Sequence, residues 1–196
     1  MGDNLHYEKF ADGSVKCIED EVPFDLPDGW AWARLGSIAD MALGKMLDVA
    51  KNKGSLRPYL RNINVRWGTF DLSDTLEMRF EDNELGRYSI YYGDLVICEG
   101  GEPGRCAVWQ SEEVVFYQKA LHRVRAIEVL PEYLYYVIRY FIISNQYEKY
   151  YTGTTIKHLT GQPLRILPIP LPPLNEQKLI IEHLRRIIEE IDKVET

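Results

Sequence analysis

The chain has 196 residues, 45% of them hydrophobic and 27% charged, with a formal net charge of −7 at pH 7. This ordinary globular composition supplies a sizeable core, in one large domain or one domain with an appendage. It excludes a membrane span, because the longest apolar run, LYYVIRYFII (134–143), is too short and carries Arg139.

Residues 1–29, ending in EDEVPFDLPDG, are polar, acidic and rich in turn formers. They read as a lead-in arm with one short hairpin around Phe10 to Ile18, and MGDNLHYEKF lacks the apolar core of a signal peptide, so a cytoplasmic protein is expected. From Trp30 the chain becomes globular. WAWARLGSIAD predicts a strand or turn leading into a short helical piece that Gly44 ends, and Lys45 to Arg57 reads as a long loop. YLRNINVRWGTFDL alternates as a strand, a turn at Trp67-Gly68 and a second strand. YYGDLVICEGG and CAVWQSEEVVFYQ are further strand-like runs split by a GGEPGR turn, and HRVRAI is a short alternating segment. Cys17, Cys98 and Cys106 are odd in number, widely spaced and without CxxC pairing; buried or free thiols are expected rather than a disulfide framework or a zinc site.

The period then changes. PEYLYYVIRYFIISNQYEKYY starts with Pro131, a good first helical position, and keeps Leu134, Val137, Ile138, Phe141 and Ile142 on one stripe, the region ending at Gly153. GTTIKHLTGQ is a polar loop or short turn, and LRILPIPLPP is extended. Prolines 168, 170, 172 and 173 cannot donate to a ladder, which limits this segment to an edge strand or linker. Several short strands with a few helices make the class α+β rather than alternating βαβ.

In the terminal stretch Asn175 is placed at an N-cap, with Glu176 at the positive end of the helix dipole. Ile180, Leu184, Ile187, Ile191 and Val194 recur at spacings of four, three, four and three, a heptad seam, and Ile181 and Ile188 form a second row. Helices this short are marginal alone in water. The seam therefore calls for a partner helix, with the prolines as the boundary that releases it from the domain. The plain alternative is an amphipathic helix packed on its own domain.

Charge is unevenly spread. Residues 1–30 carry −6 and residues 171–196 carry −2, whereas residues 31–170 carry +1. Within the middle, Gly44 to Trp67 holds Lys45, Lys51, Lys53, Arg57, Arg61 and Arg66 against Asp48 alone. Interleaved with these are Tyr59, Asn62, Asn64 and Trp67. Lysine and arginine neutralise phosphates, arginine can fork onto guanine, and asparagine onto adenine. Thr154, Thr155, Lys157 and His158 form a second polar cluster. Either group also reads as an ordinary solvated loop.

Marks of catalysis are missing. There is no GxxxxGK[ST] loop, no GxGxxG and no GxSxG elbow. His6, His122, His158 and His183 do not pair at ligand spacing, so no metal site is expected. Asp94 and Glu99 lie on one strand-like run, as the carboxylates of a metal-dependent nuclease do, but no lysine follows at short spacing.

Read together, these stretches resemble one target-recognition domain of the specificity subunit of a Type I restriction-modification system. The resemblance covers nearly the whole chain and rests on LPDGWAWARLGSIAD, YLRNINVRWGTFD, YYGDLVICEGGEPGRCAVW and GTTIKHLTGQPLRILPIPLPPLNEQKLIIEHL, with YEKFADGSVKCIEDEVPF as lead-in. It implies an α+β DNA-reading domain over residues 30–170, preceded by the arm (1–29) and followed by a coiled-coil helix (171–196). The implied role is to read double-stranded DNA for partner methyltransferase subunits and, through them, a restriction subunit. S-adenosylmethionine, ATP and Mg²⁺ would then sit on those partners, with no cofactor in this chain. By match to the family's DNA-facing loops, contacts fall in Lys45 to Trp67, the GEPGR turn with Arg105, and Thr154 to His158. Family members usually carry two such domains and two helices around a bipartite site. One of each makes this chain a fragment, the reading its lead-in and open-ended helix favour, or a half-subunit that dimerises. Two other classes stay open: a small metal-dependent nuclease, and a helix-mediated interaction module that never touches DNA.

Overall fold

The computed structural model describes residues 5–194, apart from the side chains of Asp192 and Val194. Its elements run β1 (Tyr7–Lys9), β2 (Val15–Cys17), β3 (Ala31–Arg34), β4 (Ala39–Leu43), β5 (Ser55–Leu60), β6 (Val65–Arg66), β7 (Thr69–Phe70) and β8 (Leu76–Phe80). Then follow α1 (Leu85–Tyr88), β9 (Ser89–Ile90), β10 (Leu95–Cys98), β11 (Cys106–Val108), β12 (Val115–Tyr117) and β13 (Leu121–Ala126). The chain closes with α2 (Pro131–Ile143), α3 (Gly161–Arg165), β14 (Pro168–Leu171) and α4 (Leu174–Val194). The architecture is α+β, as the mix of short strands and few helices implied.

Two four-stranded sheets, ordered β11-β10-β13-β4 and β8-β5-β12-β9, share a core. Strand alternation explains the layers. Val96 and Cys98 of β10 join Leu60, Ile90, Tyr117 and Leu121 between the sheets. Leu95 and Ile97, on the opposite face of β10, join Leu134, Ile138 and Phe141 of α2. A third cluster, Tyr59, Met78, Phe80 and Phe116, is built by the second sheet. Gly44 lets the sheets meet at a bridge between Lys45 and Gln118, because a Cβ there would lie 2.2 Å from the Gln118 carbonyl oxygen.

Several expectations need correction. WAWARLGSIAD forms β3 and then a one-turn 3-10 helix at Leu35–Ser37, as read, but Gly44 ends a strand rather than the helical piece, because β4 pairs along its length with β13. The loop after Lys45 stops at Gly54, since β5 already pairs with β8 at Ser55. Helix α2 ends at Ile143, ten residues before Gly153; Asn145 adopts a left-handed conformation (φ 58°) and turns the chain away. Pro131 and the Leu134–Phe141 stripe lie as read.

The prolines do not release the chain. Strand β14 pairs antiparallel with β3, opposing Pro168 to Arg34 and Pro170 to Trp32. The carbonyls of Pro168 and Pro170 accept hydrogen bonds from the buried hydroxyls of Tyr147 (2.8 Å) and Tyr133 (2.7 Å). In an antiparallel strand a residue's N–H and C=O point to one side. The missing proline donors thus fall on the side away from β3, where no ladder needs them.

Helix α4 begins at Leu174, so Asn175 lies inside it. The Pro173 carbonyl, in the flanking position, accepts from the amides of Glu176 and Gln177. Gln177 is buried, donating to the Pro172 carbonyl and accepting from the Leu130 amide, and Ile181 is 5% exposed in the core. The first two turns thus belong to the globular unit. Beyond them, Ile187 and Ile191 are about half exposed, at 52% and 51%. On the preceding turns, half-buried Ile180 and Leu184 line an apolar groove of about 510 Å³ with Phe24, Tyr133, Tyr140 and Ile188. The side chain of Val194, the last seam position, lies outside the described residues.

The lead-in carries the β1–β2 hairpin and is fastened down. Arg34 holds Glu8 at 2.7 Å and Glu21 at 2.6 Å, Phe24 packs on Trp32 and Phe141, and Lys149 donates to the Asp20 carbonyl. Among the described residues, no helix is long and apolar enough to cross a membrane.

Candidate nucleic-acid interface

Strand directions bring several loops to one edge. β5 and β12 are parallel, and β4 meets the end of β12 through the parallel Lys45–Gln118 bridge. β10 and β4 both run antiparallel to β13, with Cys98 opposite Leu121 and Leu43 opposite His122. The C-terminal ends of β4, β5, β10 and β12 therefore gather together. The turn at Asn62–Asn64, the 99–105 turn and the 118–120 turn all leave from this edge.

Hydrogen bonds lock these segments to one another. Asn62 Nδ2 donates to the Gly100 carbonyl at 2.8 Å, and Arg105 Nη2 donates to the Asn62 carbonyl at 2.9 Å. Arg105 also holds Glu102 at 2.7 Å, and Trp67 Nε1 donates to the same carboxylate at 2.7 Å. The 151–159 loop docks beside them: the Leu159 amide donates to the Glu99 carbonyl, and the His158 ring covers Gly100. A Cβ on Gly100 would lie 2.7 Å from His158 Nδ1, so glycine is what allows the approach. Backbone bonds in both directions between Thr152 and His158 close the loop and leave Thr154, Thr155 and Lys157 exposed.

Of the anticipated residues, Arg61, Asn62, Asn64, Arg66, Trp67, Arg105, Thr154, Thr155, Lys157 and His158 lie in these converging segments. Their availability differs. Asn64 is 1% exposed; it donates to the carbonyls of Asp71 and Asp74 and accepts from the Arg61 amide. Arg61 is half-buried and paired with Asp74 at 2.8 Å. Lys157 pairs with Glu148, and exposed Arg66 stands 3.5 Å from Asp71.

Other anticipated residues are placed elsewhere. Lys45 is buried in an ion pair with Glu84 and over the Phe80 ring, and Tyr59 is buried in the third cluster. The parallel pairing of β5 with β12 brings Tyr59 beside Phe116, and the bridge to Gln118 at the end of β12 brings in Lys45. Arg57 is half-buried over the Phe116 ring. Lys51 and Lys53 are exposed, but their loop runs to the opposite end of β5, where Ser55 pairs with Phe80.

The Gln118–Ala120 turn at the centre of this edge escaped the sequence reading. Ala120, at φ 98°, occupies a backbone region that residues with a side chain rarely adopt, so no glycine or asparagine marks the turn. The weak signal was the three-residue gap between VVFYQ and HRVRAI.

The carboxylates weighed for nuclease chemistry are far apart. Asp94 precedes β10 and Glu99 follows it, roughly 16 Å apart at ordinary strand rise. Asp94 is enclosed by both arms of Arg125, at 2.8 and 2.7 Å, and by the Tyr91 amide. Among the described residues no group of three His, Cys, Asp or Glu side chains is arranged to hold a metal ion. The cysteines are free; burial pushes the Cys98 thiol up to about 11 and that of Cys106 well above its ordinary value.

Comparison with known proteins gives a consistent likeness. The family model for the Type I restriction modification DNA specificity domain matches residues 27–196. The Type I restriction enzyme EcoEI specificity subunit of Escherichia coli is 22% identical, over 91% of this chain and 32% of that protein. The EcoAI specificity subunit of the same organism is 24% identical, over 90% and 31%. The chain thus spans about a third of the length of these relatives. Among solved structures, a chain of a type I R-M system superimposes with a TM-score of 0.69 at 21% identity, covering 87% of this chain and 41% of that one. The HsdS subunit from Thermoanaerobacter tengcongensis gives 0.63 at 21% identity, covering 87% and 40%. These structures share the fold.

Proposed function

Because the chain belongs to the Type I restriction modification DNA specificity domain family, we propose that it reads DNA sequence for a restriction-modification complex and performs no chemistry itself. The observation that carries this reading is the edge where four strand ends present their connections together. Rigid strands with interlocked loops hold recognition side chains at fixed spacing, which base-edge readout requires. Exposed Arg66, Thr154, Thr155 and Lys157 would face the duplex. Asn62, Asn64, Arg61, Arg105 and His158 would set the loops, and Lys51 and Lys53 would reach phosphates further along. Lys45, Arg57 and Tyr59 would support the scaffold.

The lead-in (1–29) and the helix (171–196) flank the recognition domain (30–170). The exposed Ile187–Ile191 face would pair with a second helix, from another part of a longer subunit or from a second copy. Such pairing places two recognition domains on a bipartite site. Methyltransferase subunits, and through them a restriction subunit, would then act in the cytoplasm with S-adenosylmethionine, ATP and Mg²⁺ on those partners.

The test uses the assembled complex and measures duplex affinity against salt. Charge reversal at Lys51, Lys53 and Arg66 should weaken binding and reduce the salt slope by about one for each phosphate no longer neutralised. Unchanged affinity and slope in the triple variant would remove both Arg66 and the Lys51–Lys53 loop from DNA.

A further inference from the structure

The Gln118–Lys119–Ala120 turn sits between the three interlocked loops without itself belonging to any of them. Its backbone is held from every side. The Gln118 amide donates to the Leu60 carbonyl, the Lys119 amide to Lys45 and the Leu121 amide to Gln118, while the Ala120 carbonyl accepts from the Glu99 amide. Those partners belong to the ends of β5, β4 and β10, the strands that build the edge. Gly44 presses on the Gln118 carbonyl from below, and Ala120 takes its uncommon φ of 98° at the tip. Uncommon backbone conformations persist where surrounding structure over-determines them, and they cluster at functional sites.

The side chains contrast with this backbone. Lys119 is exposed, and no carboxylate pairs with it among the described residues. Gln118 is half-buried, and its side-chain amide has no hydrogen-bond partner among the described residues. Its oxygen and nitrogen are not wholly buried. Neighbouring polar residues are engaged within the protein: Asn62 with Gly100, Arg105 with Glu102 and Asn62, Asn64 with Asp71 and Asp74, and the unpaired Asn62 Oδ1 and Arg105 Nε are buried. Here a rigid turn offers one free amide and one free ammonium.

We infer that this turn is a sequence-reading element of the DNA interface, in which Gln118 reads an adenine edge in the major groove and Lys119 clamps an adjacent phosphate. A glutamine amide donates and accepts side by side, matching the N7 acceptor and N6 donor of adenine. The lysine carries no base information and fixes the register from which the amide reads. The inference rests on the proposed DNA-reading function and deepens it by naming the residue that selects a base.

The experiment is duplex selection from a randomised library by the complete complex, wild type and variants side by side. For the wild type a defined consensus is expected. Gln118→Ala should keep that consensus except at one A·T position, where discrimination falls about ten-fold or more. Gln118→Arg should shift the same position towards guanine. Lys119→Ala should weaken all sequences alike and lower the salt slope by about one. An unchanged Gln118→Ala consensus, or uniform weakening at every position in a variant with wild-type melting temperature, overturns the inference while DNA reading stands. A wild-type complex that selects no consensus overturns the underlying function instead.

Discussion

The Tyr133 hydroxyl donates a 2.7 Å hydrogen bond to the carbonyl of Pro170, on the side of β14 where the proline has no N–H. Tyr147 does the same for Pro168 two residues earlier. Burial pushes both phenols up, so they remain neutral donors at physiological pH. Tyr133→Phe strands a buried carbonyl and should lower stability by about 1–3 kcal/mol. Urea denaturation of the chain measures this, and a variant as stable as wild type refutes the role.

Asp94 is almost wholly buried inside the Arg125 fork. Arg125→Ala leaves a buried carboxylate with one amide partner. The loss should be about 2–4 kcal/mol, below the full value for a buried pair because Arg125 is partly exposed. Chemical denaturation reads it directly. Restored stability in Asp94→Asn/Arg125→Ala would locate the cost in the stranded charge.

Gly44→Ala drives a methyl group into the Gln118 carbonyl, which is backbone and has little freedom to move. Destabilisation of about 1–3 kcal/mol is expected. Amide hydrogen exchange should show faster opening around residues 118–121, ahead of α2.

Helix α4 divides into a half packed on the domain and an exposed half. Ile181→Ala removes a buried side chain and should cost about 2–5 kcal/mol of domain stability. Ile187→Asn with Ile191→Asn should change domain stability by under about 1 kcal/mol, as exposed positions usually do. The same double change should impair association, read by light scattering on the assembled subunits. If it unfolds the domain instead, the distal helix packs at home.

His122 is buried, its Nε2 lying 3.1 Å from the Leu159 carbonyl, and burial holds its pKa below the usual 6.5. A depressed pKa means the unfolded chain takes up the proton first. The contribution is complete above pH 6.5 and is lost as pH falls through the folded value. Between pH 7.5 and 5.5 the wild type should lose more stability than His122→Asn, in parallel urea titrations.

Local chemistry made some of this legible in the sequence. Pro131 with the Leu134–Phe141 stripe marked α2, Trp67-Gly68 marked a turn, and the alternate prolines limited their segment to an edge strand or linker. What escaped depends on distant partners. ADMAL has weak strand propensity and is a strand because β13 pairs with it. The seven-residue spacing in α4 identified an apolar face without telling which turns the domain already covers. At the candidate interface the residue types were visible. Their division into exposed and structural members was not: Asn64 and Lys45 look like recognition residues until their buried partners appear.

The pairing of β3 with β14, clasped by the 2.8 Å bond from Trp30 Nε1 to Glu176, brings the two ends of residues 31–171 side by side. Everything between is a closed excursion that returns to its starting point. Its loops can be lengthened, shortened or exchanged while the two points of attachment stay still.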